Sequence, residues 1–149
     1  MAVDLYKPFL VATRNVFQLM FDLSDITDRP VNLVRYEDEV AVSIGVVGDL
    51  AGQVIYRFPQ GTSLNMVKIM SGMEVDAVDD FVTSAISEIA NIISGNVLTI
   101  LAGENVVCDL LPPVLYTAEA AGEYAIRTAC CITTSAGEVC LDIRLNPAK

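Results

Sequence analysis

Residues 80–101, DFVTSAISEIANIISGNVLTIL, constrain this chain more than any other stretch. An α-helix turns about 100° per residue, so with Ser84 set at zero, Asp80, Glu88, Asn91 and Gly95 fall within about 40° of one line. Val82, Ile86, Ile89, Ile93, Val97 and Ile100 fall on the opposite side, a broad apolar arc that needs a core to bury it. The polar line is the informative face. It holds a carboxylate, a carboxamide one turn later and then a glycine that lets another surface approach. Ser87 and Ser94 flank it, so this reading leaves Glu88 and Asn91 open to a visitor. A Glu and an Asn three apart are also ordinary helix surface, and short motifs match by chance. Asn in mid-helix is the departure from that reading, because its side chain competes for the backbone.

Composition narrows the chemistry. The formal charge is −10, from 19 acidic and 9 basic residues, a surface that repels a phosphate backbone and argues against nucleic acid as a partner. There is no histidine, which removes the usual general base near neutral pH and the commonest transition-metal ligand. The four cysteines, Cys108, Cys130, Cys131 and Cys140, contain no Cys-x-x-Cys pair, so they read as small buried hydrophobes in a reducing cytosol, with Cys130 and Cys131 on opposite faces of a strand. Neither adjacent cysteine is followed at the right distance by the arginine of a thiolate phosphatase loop. Glu74, Asp76, Asp79 and Asp80 suggest a metal cluster, but charge placed on a helix N-terminus is the simpler reading, and no metal site is expected. Hydrophobic residues make up 53% of the chain, yet no eighteen run uninterrupted, so no membrane span is expected. The start, MAVDLYKP, lacks a basic region and cleavage site, which points to a cytoplasmic protein. So much apolar sequence also suggests an apolar self-association surface, on the sheet, through which a homodimer would join.

The 149 residues suit one domain, 1–149, with a single core. Residues 4–21 have helical period, with Pro8 in the first turn. The polar stretch Ser24 to Pro30 reads as a break, Val31–Tyr36 as a short strand and residues 37–39 as its turn. Val40–Val47 and Gln53–Phe58 form a hairpin across residues 48–52, where Gly48 and Gly52 allow positive φ. Thr62–Ser71 reads as a helix stopped by Gly72. After the long helix, strands are expected at Asn105–Leu111 and Val114–Thr117 about the Pro112-Pro113 break. Tyr124–Thr133 and Glu138–Leu145 form a second hairpin, and the residues beyond Leu145 should fray. GQVIYRF at Gly52–Phe58 matches GEVCLDI at Gly137–Ile143 in alternation, and each follows a long amphipathic helix at some distance. The chain is thus an α+β fold, an antiparallel sheet of about six strands with two long helices on one face, built by helix-plus-hairpin duplication.

Ser84-x3-Glu88-x2-Asn91, followed by Gly95-Asn96 and by Pro113 a little over twenty residues on, resembles the signature helix of the CheX/CheC family of chemotaxis phosphatases. The opening LYKPFLVATRNVFQLMF, the VAVSIGVVGDLAGQVIYRFP hairpin and the LLPPVLYT strand look CheX-like as well, in the expected order. The resemblance implies a CheC-like fold, a dimer and removal of the phosphoryl group from the aspartate of a CheY-like response-regulator receiver. Asn91 would hold the attacking water and Glu88 would pair with the receiver's lysine, while Ser84, Ser94 and Gly95 would meet the receiver. The chain would need no cofactor of its own, Mg²⁺ standing on the receiver. In the first helix Asn15 corresponds to Asn91, but Ala12 stands where Glu88 would be, so one site is expected, as in CheX. The rival reading is a non-catalytic docking module of the same fold, binding a receiver or a flagellar-switch protein.

Overall fold

The computed structural model describes residues 5–31, 38–116 and 123–147. In chain order these form α1 (Tyr6–Phe21), β1 (Thr27–Val31), β2 (Glu39–Gly48), β3 (Leu50–Pro59), α2 (Gln60–Ser71), α3 (Asp80–Ala102), β4 (Cys108–Leu110), β5 (Val114–Leu115), β6 (Ile126–Thr134) and β7 (Gly137–Pro147). The seven strands make one antiparallel sheet in the order β1-β6-β7-β3-β2-β4, with β5 also on β2. Alternate residues of the long strands, such as Val42, Ile44, Tyr56, Phe58, Leu141 and Ile143, join the apolar arcs of the helices in one core, so all three helices cover the same face.

The sequence repeat has a structural meaning. Gly52–Phe58 and Gly137–Ile143 lie in β3 and β7, which pair with each other at the middle of the sheet. Each half then lends the other an outer strand, because β1 pairs with β6 and β4 with β2. The helices α1 and α3 pack side by side above them.

Several expectations change in detail. The expected sheet of about six strands has seven, and the expected helix at Thr62–Ser71 is α2, Gln60–Ser71. Strand β1 covers the polar stretch Thr27–Val31 that reads as a break, and most of the expected strand 31–36 lies outside the described residues. The first hairpin turns more tightly than expected, about Asp49, because Leu50, Ala51 and Gly52 continue β3 to pair with β7. Strand β7 likewise runs on to Pro147 instead of fraying after Leu145; residues 148–149 lie outside the described residues. Gly48 and Gly52 do adopt positive φ, at 121° and 151°. A Cβ on Gly52 would overlap the carbonyl oxygen of Arg144 on the neighbouring strand. Gly52→Ala is therefore expected to cost roughly 2–3 kcal/mol, seen as a lower urea midpoint with unchanged slope.

The face of the sheet turned away from the helices holds buried charged side chains. Arg57 and Arg144 lie there, each 1% exposed, with Asp142 at 4%. Arg144 donates through Nη2 to Asp142 Oδ2 at 2.7 Å, and Arg57 donates through Nη1 to Glu39 Oε2 at 2.6 Å. The Arg57 guanidinium also stands 5.3 Å from the centre of the Tyr116 ring. Charges taken out of water need such partners.

Candidate functional site

Helix α3 is set by signals at its start and along its buried side. Asp79 is its N-cap, with Oδ1 accepting from the Val82 N–H at 3.0 Å, and Asp80 lies in the first turn, where a negative charge suits the helix dipole. By length and composition α3 would pass for a membrane-crossing helix, but Val82, Ile86, Ile89, Ile93 and Val97 are fully buried in the core. That packing fixes which side faces outward. Ser84, Glu88 and Asn91 are exposed, and among the described residues no hydrogen bond or ion pair engages the Glu88 or Asn91 side chain. Both line a shallow groove of about 470 Å³, walled by Thr83, Ser84 and Ser87 on the helix and by Pro113 and Leu115 opposite.

Pro113 forms the far wall for a local reason. Neither proline of Pro112-Pro113 has an N–H to donate, so the edge strand breaks there into β4 and β5, both paired with β2. Leu115 stands opposite Val42, whose side chain faces the helices, and this turns Leu115 towards α3. The expected proline therefore meets Glu88 and Asn91 in one groove.

Two of the expected contact residues behave differently. Gly95 has open space where a Cβ would stand, so a partner can approach there. Ser94 cannot meet a partner. It is 2% exposed, and its hydroxyl is 2.6 Å from the Tyr56 hydroxyl in the core. At about 80° from the Ser84 line it lay at the margin of the polar face, and a buried hydroxyl on β3 drew it inward. Burial pushes the Tyr56 phenol well above its usual range, with Ser94 pulling the other way, so the pair stays neutral. It ties α3 to the middle of the sheet one turn beyond Asn91.

The sequence also missed an apolar neighbour. A pocket of about 350 Å³ opens between α2 and α3, lined by Val67, Met70, Ser71, Phe81, Ser84, Ala85 and Glu88. Phe81 is 49% exposed and lies about 60° from Ser84 around the helix, so the polar line has a large aromatic beside it. Periodicity could have found Phe81, but the approach of α2 is not visible in it.

The cysteines divide. Cys131 and Cys140 form a disulfide with Cα atoms 4.1 Å apart, contrary to the expectation of four free thiols. The hairpin register sets them directly opposite, which the spacing of nine residues across a tight turn allows. Their sulfurs and the Glu138 carboxylate are the described acid–thiol group compact enough to hold a metal ion, but the sulfurs are bonded together and Glu138 accepts from Arg29 Nη2 at 3.0 Å. Cys130 faces the helices, on the other side of the sheet from Cys131 as expected, and burial, aided by the Asp28 charge, pushes its thiol up to about 11. Such a thiol is a poor nucleophile at neutral pH. Of the acidic residues before α3, Asp79 caps the helix and Glu74 pairs with Lys68 at 3.2 Å. In the first helix Asn15 is exposed and Ala12 fully buried, so no second carboxylate–carboxamide pair forms there.

The fold and the groove define an α+β domain that presents one carboxylate and one carboxamide a helical turn apart at an open face. The chain belongs to the chemotaxis phosphatase CheX family, whose family model matches residues 40–135. It is 29% identical over 107 residues to the CheY-P phosphatase CheX of Thermotoga maritima, covering 68% of this chain and 69% of that one. Among solved structures, a chain of the CheX–CheY–BeF3–Mg²⁺ complex from Borrelia burgdorferi superposes with a TM-score of 0.80 at 24% identity, covering 97% of this chain and 99% of that chain. CheX from Vibrio vulnificus superposes with a TM-score of 0.79 at 22% identity, covering 97% and 100%. These likenesses bear on the fold, and they agree with the family resemblance drawn from the helix.

Proposed function

We propose that this chain hydrolyses the aspartyl phosphate of a CheY-like receiver, with α3 laid against the receiver's phosphorylation site. The observation that carries the reading is the joint exposure of Glu88 and Asn91 at one groove, in a chain of the CheX family. The Asn91 carboxamide oxygen accepts a hydrogen from a water, and its NH₂ orients a second acceptor, so the water lies in line with the phosphorus. The water oxygen bonds to phosphorus, the bond from phosphorus to the acyl oxygen breaks, and the aspartate leaves as a carboxylate while the water's proton passes to solvent. Glu88 pairs with the receiver's lysine and fixes the register of the helix. Mg²⁺ held by the receiver would supply charge neutralisation at the phosphoryl oxygens. Ser84 and Gly95 line the approach, and Ser94 acts from beneath, through Tyr56.

The test is to add the chain to phosphorylated receivers from the same cell and follow the loss of phosphate. Faster loss from at least one receiver supports hydrolysis, whereas stable binding without faster loss supports the docking reading. Because the metal belongs to the receiver in this mechanism, calorimetric titration of Mg²⁺ into the isolated chain at neutral pH is expected to give no heat of binding below millimolar concentration. Tight binding there would locate a metal site on this chain instead.

A further inference from the structure

The pocket between α2 and α3 is a recess beside the groove, and nothing in the hydrolytic step uses it. The two share Ser84 and Glu88, so Glu88 stands on the ridge that divides them. One side of that ridge is polar and ends at Asn91. The other is apolar, with Val67 at its floor and Met70 and Phe81, 38% and 49% exposed, at its mouth. Two large apolar side chains thus meet solvent at the mouth of one recess. Most of the exposed apolar surface of a protein is scattered and needs no explanation, but a cluster at a recess does.

Charge restricts what fits. Glu88 lines the pocket, and Asp79 and Asp80 immediately precede Phe81 at its mouth. Lys68 is the basic residue at this corner, and it is engaged by Glu74. An acidic rim around an apolar floor selects a partner surface that is basic at its edge and apolar at its centre.

We infer that the α2–α3 pocket is a specificity site for the receiver, taking an apolar side chain that stands next to the lysine paired with Glu88. The inference rests on the proposed receiver reading and deepens it, since it names what decides which receiver is accepted. The pocket contributes binding before and during hydrolysis alike, so it lowers KM and leaves the chemical step to Asn91. Among receivers with the same phosphorylation chemistry, the one with a fitting apolar residue is preferred, by the 10- to 200-fold typical of one apolar group in a pocket, roughly.

The experiment uses Phe81→Ala, which empties the mouth, and Ala85→Leu, which fills the interior. Steady-state phosphate release is measured for each against receiver concentration, using a receiver on which the wild-type chain is active. Equilibrium binding to the same receiver loaded with beryllofluoride and Mg²⁺ is measured alongside. Phe81 is half exposed, so its variant folds even if Ala85→Leu does not. Both are expected to raise KM and the dissociation constant about 10-fold or more, with kcat within twofold of wild type. Values of KM and affinity within twofold of wild type for Phe81→Ala would overturn the pocket inference while leaving the hydrolytic reading intact. Should the wild-type chain bind beryllofluoride-loaded receivers without speeding phosphate loss from the same receivers when phosphorylated, the hydrolytic reading fails, and weakened binding by Phe81→Ala still supports the pocket.

Discussion

Replacing Asn91 by alanine is expected to lower the single-turnover rate of receiver dephosphorylation on the order of 10²-fold or more, with affinity for the phosphorylated receiver nearly unchanged. The asymmetry follows from the role assigned to the carboxamide. Its oxygen meets a water whose alignment matters only as the bond to phosphorus forms, so the interaction is stronger in the transition state than in the bound complex. Aspartate at the same position offers an acceptor but no NH₂, and brings a second negative charge towards the phosphoryl group, so it should not rescue. Asn91 is exposed on the helix, and such changes usually move stability by less than about 0.5 kcal/mol. Circular dichroism and thermal melting of the variant should therefore match wild type, and the rate loss can be read as catalytic.

Glu88 is expected to fail in the other way. In the proposed complex its carboxylate would lie against a lysine, partly removed from water, and taking it away would leave that ammonium unpaired. Glu88→Ala should weaken binding by roughly 2–5 kcal/mol, about 30-fold to several thousand-fold in the dissociation constant. Glu88→Lys should be worse, because two ammonium groups then face each other across the interface. At saturating receiver, Glu88→Ala should retain most of the wild-type rate. Binding by fluorescence anisotropy and phosphate release on the same preparations separate the two residues. If both variants lose rate and affinity together, Glu88 and Asn91 act as one unit and do not divide into an anchor and a water-positioning group.

What could be read from residues alone follows the range over which each signal acts. The long helix and its outward line came from local periodicity, and Glu88 and Asn91 lie where that periodicity put them. Gly72 ends α2 with φ of 71°, as a C-cap glycine should. Features decided by a distant partner were hidden. Strand β1 is TDRPV, polar and at the sheet edge, and only its pairing with β6 makes it a strand. Ser94 turns inward because Tyr56, 38 residues earlier, carries a buried hydroxyl that needs a partner. Cys131 and Cys140 meet because the turn between them sets the register, and a shift of one residue would have sent them to different faces. Phe81 gained its pocket from α2, whose placement no local pattern carries.

Dephosphorylation in water enriched in oxygen-18 tests the central claim most directly. A phosphorylated receiver is mixed with excess chain, and both the rate of release and the position of the label are followed by mass spectrometry. If α3 aligns a water with the phosphorus, phosphate forms well above the receiver's own rate and carries one labelled oxygen, while the aspartate carboxylate stays unlabelled. Release no faster than from the receiver alone, or label in the aspartate, would contradict hydrolysis by a water that α3 holds in line.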